Sequence, residues 1–196
     1  MNIVLFGPPG AGKGTQAALL NQRLGLAHFS TGEEFRRHIE ARTPLGARIR
    51  AIVESGDLVP DDIVLDVVRE ALSTEHYRQG CVFDGFPRTL AQAQALDNLL
   101  AERGSAIDLV LTIDVPEEEL VRRMLQRGRS DDNEAVIRER LRVYQERTAP
   151  VLDYYAQRGK LRRIAGNATI EQVHQAIRQT LSTVAANETM SNLSSS

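Results

Sequence analysis

Cysteine is almost missing from this chain: Cys81 stands alone among 196 residues. One thiol cannot close an intramolecular disulfide, nor build a cysteine zinc site. No apolar run approaches the roughly 18 residues that would span a bilayer, so no membrane association is expected. The N-terminus passes from Asn2 straight into a short apolar stretch, without a cationic flank or a small-residue cleavage pattern, so no secretory leader is expected either. These absences point to a cytoplasmic protein. An excess of charge of one sign is missing too: 24 Lys and Arg stand against 26 Asp and Glu, a formal charge of -2, which argues against a general nucleic-acid binder. Lysine is the scarcest charge. Only Lys13 and Lys160 are lysines and the other 22 cations are arginines. A coding bias explains the arginines but leaves open why a lysine stands at position 13. There is no internal repeat, and the length and 42% hydrophobic content suit one compact domain, with room for small inserted lobes.

Glycine, by contrast, is concentrated near the start. GPPGAGKGT (7–15) follows directly on the apolar MNIVLF. It matches G-x-x-x-x-G-K with Gly7, Gly12 and Lys13, followed by Gly14-Thr15, between an expected strand and an expected helix, as a phosphate-binding loop requires. Phosphate oxygens must approach several backbone N–H groups, and side chains would block them. Glycine opens that approach, and the helix N-terminus adds a favourable dipole. Lys13 is slim enough to reach between β- and γ-phosphates, where a broad planar guanidinium would fit poorly.

Periodicity predicts strands at 2–6, 27–29, 81–84, 108–115 and 161–165. It predicts helices at 13–24, 31–42, 44–54, from 60–62 onward, 89–102, from 116–118 onward, 132–157 and 169–186. The polar residues 187–196 are expected to be disordered. Strands alternating with helices predict an α/β fold, a parallel five-stranded sheet of P-loop NTPase type flanked by helices. Segment 30–59 interrupts the alternation with two helices and reads as an inserted lobe. No guanine-reading N-K-x-D is present, so a GTPase is disfavoured. VLTID (110–114) resembles a Walker B strand, but Asp114 runs into Val-Pro-Glu-Glu and reads better as a helix lead-in.

STGEEFR (30–36), GDLVPDDI (56–63), DGFPRTLAQA (84–93) and RGRSDDNEAVIRERL (127–141) resemble, in order and spacing, the adenylate kinases, over roughly residues 1–170. The resemblance implies transfer of phosphoryl from Mg-ATP to AMP, giving two ADP. It implies one kinase domain (1–186) with a core (1–29, 60–125, 133–186), an NMP-binding lobe (30–59) and a short LID (126–132). The LID has only four residues between Arg127 and Asp132. It lacks the cysteines of the long form, so no structural zinc is expected, and the short form suggests a monomer.

The resemblance also assigns roles. Gly10, Ala11, Gly12, Lys13, Gly14, Thr15, Arg123, Arg127 and the backbone of Ala168 match ATP contacts. Thr31, Arg36, Asp57, Leu58, Val59, Gly85, Phe86, Pro87, Arg88 and Gln92 match AMP contacts, and Arg129 and Arg140 contact the phosphates in transfer. Asp131 and Asp132 would hold those arginines when the LID shuts. Asp84 resembles the carboxylate that orders Mg²⁺ through water, the alternative being a helix-capping or turn aspartate. Gln92 pairs a donor with an acceptor, as the adenine edge does. Together with Thr31 it favours AMP over UMP or CMP. Apart from the resemblance, Arg36 would read as a solvated helix residue. Arg122, Arg138, Arg142 and Arg147 match no motif and are expected to be solvated or structural. The four histidines lie outside the motifs, so no general base is expected. The phosphate acceptor is already ionised and needs none; positioning and charge neutralisation must carry the reaction, by Lys13, Arg88, Arg129 and Arg140.

Overall fold

A computed structural model describes residues 1–129 and 132–193, with 187–193 as backbone only. Its five strands are β1 (Ile3–Phe6), β2 (Ala27–Ser30), β3 (Cys81–Asp84), β4 (Leu109–Asp114) and β5 (Leu161–Ala165). All pairings are parallel and the order is β2-β3-β1-β4-β5. This is the parallel α/β sheet expected from the sequence. β1 is central and wholly buried, which explains its unbroken apolar run. Alternate residues serve opposite faces. Val4 and Phe6 join Phe29, Phe83 and Val110 in one core cluster; Ile3 and Leu5 join Val82, Leu109 and Leu111 in the other.

The first cluster is closed by α4 (Asp61–Leu72), α5 (Leu90–Ala101) and α8 (Val151–Ala156). The second is closed by α1 (Lys13–Leu24), α6 (Glu117–Arg127), α7 (Glu134–Val143) and α9 (Ile170–Leu193). Between β2 and α4 lie α2 (Thr31–Glu40) and α3 (Pro44–Ser55). They pack so closely that a Cβ on Gly46 would collide with the His38 carbonyl group. Phe35 and Ile49 carry this pair into the first cluster. Side-chain caps start several helices: Ser30, Thr43, Thr89 and Asn133 each accept from a backbone N–H three residues on, each worth about 1 kcal/mol.

Two expectations are corrected. The single helix over 132–157 is three pieces: α7, a wide π-turn at Tyr144–Thr148, and α8. Pro150 lies at the break, because it has no N–H to donate and its ring opposes the preceding helical turn. The last helix, expected over 169–186, is also longer, because α9 continues to Leu193. The polar composition hid a helix that propagates from a buried N-terminal half, where Val173, Ile177 and Leu181 anchor it.

β1 pairs with β3 on one side and β4 on the other, while the chain leaves β1 for the edge strand β2. The sheet therefore has a switch point at the carboxyl end of β1, where parallel α/β sheets hold their ligands.

Candidate active site

The glycine-rich loop leaves β1 at that switch point. Gly7 takes φ +138°, and a Cβ there would stand 2.8 Å from the Ile113 carbonyl oxygen. Gly12 takes φ +94° and ends the loop as the N-cap of α1, with open space where a side chain would be. The N-terminus of α1 thus faces a cleft of about 630 Å³, large enough for a nucleotide. Around it stand residues from other strand ends: Ser30 ending β2 and Arg36 after it, Asp84, Gly85 and Arg88 at the end of β3, and Gly166 and Ala168 after β5. The cleft brings together all the expected ATP-side residues, Gly10, Ala11, Gly12, Lys13, Gly14, Thr15, Arg123, Arg127 and Ala168, together with Arg88, Arg129 and Arg140.

A smaller recess adjoins it on the α2–α3 side. Thr31, Arg36, Asp57, Leu58, Val59, Gly85, Arg88, Gln92 and Arg140 line it. Phe86 and Pro87 do not. They border a third hollow beside Lys13, and the Phe86 ring is buried in the core against Phe83. Asp131 lies outside the described residues. Asp132 receives two bonds from Arg127 (2.9 and 2.6 Å), the backbone N–H of Arg129 (3.0 Å) and a longer contact from Arg140 (3.4 Å).

The electrostatics are those of a site built for a polyanion. Lys13 donates from Nζ to the carbonyls of Gly7 and Pro8, at 2.8 and 3.0 Å. Burial pushes its pKa down to about 8; Asp84 opposes this, and Arg88, Arg140 and Arg127 add to it. Burial likewise pushes Arg88 down to about 10, with Arg140 and Arg36 pushing the same way against Asp84. Lys13 and Arg88 thus stand beside the buried Asp84 with Arg36, Arg127 and Arg140 adding their charge, while Arg127 and Arg140 also reach the buried Asp132; a bound polyphosphate would relieve the repulsion among the cations. Burial disfavours a charged Asp84, but the His28 ring and the cations Lys13 and Arg88 outweigh it and hold the carboxyl below its usual value. His28 Nε2 lies 3.7 Å from Asp84 Oδ2, beyond hydrogen-bond reach.

Arg88 is further held by Nε, which donates to the Gly85 carbonyl at 2.7 Å. The Thr31 hydroxyl donates to the same oxygen at 2.8 Å, so one carbonyl fixes the start of α2 and the arginine together. Arg123 is aimed by Glu119 (2.7 Å) and the Gly166 carbonyl (3.0 Å). Arg122, Arg138 and Arg142 pair with glutamates on their own helical surface, while Arg147 reaches Asp57 at 3.3 Å, tying the end of the α2–α3 segment to the π-turn.

The donor set suits magnesium. Asp84 offers hard oxygen close to the loop, where a Cβ on Gly14 would lie 3.4 Å from its Oδ2, and Thr15 lies in the same cleft. Among the described residues no three His, Cys, Asp or Glu gather as a metal cage. One carboxylate beside a phosphate site is the usual protein share for a cation that keeps most of its water.

Sequence reasoning missed several parts of this arrangement. Gln16 donates to the Ile170 carbonyl (3.0 Å) and meets His174 Nδ1 (3.2 Å), joining the loop helix to α9. Glu119, His28 and Asp61 also serve site residues. Only Gln16 had a signal, its place directly after the loop.

The sequence model of the adenylate kinase family matches residues 5–160. Adenylate kinase from Thermus thermophilus is 52% identical over 183 residues, covering 91% of this chain and 96% of that protein. The Maricaulis maris enzyme of the same name is 48% identical over 181 residues, covering 90% and 96%. The one from Phocaeicola vulgatus is 44% identical over 177 residues, covering 88% and 94%. With the loop, the two adjoining recesses and the cations between them, these matches identify the chain as a member of the adenylate kinase family.

Proposed function

We propose that the chain catalyses ATP + AMP ⇌ 2 ADP, with ATP over the glycine loop and AMP in the recess lined by Thr31 and Gln92. One observation carries the reading. Lys13, Arg88 and Arg140 crowd together where the two recesses meet, which is where a phosphoryl group in flight would pass. The AMP phosphate is an ionised nucleophile, so no side chain needs to take a proton. Lys13 and the N-terminus of α1 hold the donor phosphates. Arg88 spans donor and acceptor, and Arg36 grips the acceptor phosphate. Arg129 and Arg140 neutralise the transferring group, and Arg127 and Asp132 steady them. Arg123 lies along the donor adenine, whose edge meets the backbone at Ala168. Asp57, Leu58 and Val59 line the acceptor base pocket, and Gly85 to Pro87 supply backbone beside it. Asp84 would hold hydrated Mg²⁺, which supplies charge neutralisation at the β- and γ-phosphates when bound.

Segments 30–59 and 126–132 act as closing lobes that keep water from the transfer. The protein works as a cytoplasmic monomer. No helix among the described residues is long and apolar enough to cross a membrane.

The decisive experiment measures ADP formation by the purified protein with Mg-ATP and AMP, CMP, UMP or GMP offered separately. Strong preference for AMP is expected. Preference for UMP or CMP would keep the mechanism and overturn the base assignment. No transfer to any of the four would overturn the function.

A further inference from the structure

The two ends of the Gln92 amide have nearly the same shape and opposite chemistry, so neighbours must decide which way it faces. Its Oε1 accepts from the Arg88 backbone N–H at 2.7 Å, and its Nε2 donates to Asp61 Oδ1 at 2.7 Å. The other Asp61 oxygen accepts from the Thr89 hydroxyl at 2.8 Å. A backbone N–H can only donate and a carboxylate only accepts. Turning the amide over would set N–H against N–H and oxygen against oxygen. Gln92 is 1% exposed, so water cannot relieve that mismatch.

We propose that Asp61, which lines neither recess, is a positioning residue that fixes the polarity of the Gln92 amide and so selects 6-amino over 6-oxo purines as phosphoryl acceptors. The proposal rests on the Thr31–Gln92 recess being the acceptor-base pocket. After its two internal bonds the amide has one N–H and one lone pair left, in a fixed order. Adenine offers a donor at N6 beside an acceptor at N1, which this order can meet. Hypoxanthine and guanine offer an acceptor at O6 beside a donor at N1, which fits only the turned amide. A buried polar pair left unmet is an effective means of rejection.

The test compares wild type, Asp61→Asn, Gln92→Ala and the double variant, each with Mg-ATP and either AMP or IMP. In Asp61→Asn a carboxylate that only accepts becomes an amide that can present either end to Gln92, and the AMP-to-IMP ratio of kcat/KM should fall about 10-fold or more, with KM for ATP unchanged. Once Gln92 is alanine, Asp61→Asn should change the ratio no further. Should Asp61→Asn not fold, Asp61→Ser is read by the same ratio. If Gln92→Ala alters nucleotide choice while the Asp61 variants leave the ratio untouched, the polarity lock is wrong and the pocket reading stands. If KM for ATP rises in step with KM for AMP, Asp61 is only structural and the proposal fails. If wild type takes AMP and IMP equally and Gln92→Ala changes nothing, the pocket reading fails and the lock with it.

Discussion

At the scale of single residues, the site concentrates cations whose mutual repulsion a bound phosphate would relieve. Lys13→Ala or Arg88→Ala should lower kcat by about 10³-fold or more while leaving the unfolding midpoint near wild type. Steady-state assays beside thermal melts check this, and near-normal turnover would remove either residue from its role. The lowered pKa of Lys13, about 8 in the free site, gives a second prediction. Phosphate stabilises the ammonium and raises its pKa on binding. ATP affinity should therefore be constant below pH 8 and weaken above it, by up to about tenfold per pH unit. Calorimetric titration at about pH 7, 8 and 9 should also show proton uptake growing across that range. At this scale the sequence was only partly legible. Lys13 could be recognised because its neighbours in the chain are its neighbours in space. Asp61 could not: it meets Gln92 31 positions away, and nothing local to PDD marks it as more than the start of a helix. His28 was hidden in the same way, since only the pairing of β2 with β3 brings it to Asp84.

Among elements, the alternation of strands and helices was readable throughout, because buried parallel strands are apolar runs and the helices carry caps and glycine stops. The errors fell where chemistry and propensity disagree. Pro150 breaks a periodic helix, and the polar end of α9 is helical without an apolar stripe of its own. The contact between α1 and α9 is likewise absent from any local pattern. Gln16 and His174 are both buried, and His174 Nε2 has no partner among the described residues. Gln16→Leu should cost about 1–3 kcal/mol in urea unfolding, by leaving buried polar groups unmet. Burial also holds the His174 pKa below its ordinary 6.5. The unfolded chain then binds more protons than the folded one just below that pH, so this contribution is complete above pH 6.5 and is lost as pH falls. His174→Leu should flatten the slope of stability against pH in that window, measured by unfolding at closely spaced pH values.

For the whole molecule, the two segments taken as closing lobes carry groups that complete the site, Arg36 on one and Arg129 on the other. If opening limits turnover, kcat should fall in inverse proportion to the relative viscosity of added sucrose, and an ADP burst should precede the steady state. A kcat indifferent to viscosity would assign the slow step to chemistry. The same sheet has a second rim. Met1 accepts at its carbonyl from the Cys81 N–H, and its amino group donates to the Gln79 carbonyl, at the amino end of β3. Asp84 and the cleft lie at the other end of that four-residue strand, about 10 Å along it. A protein fixed to a bead or an electrode through Met1 would therefore present its cleft outward, and a monolayer made this way would orient its catalytic mouths toward the solution without any added linker design.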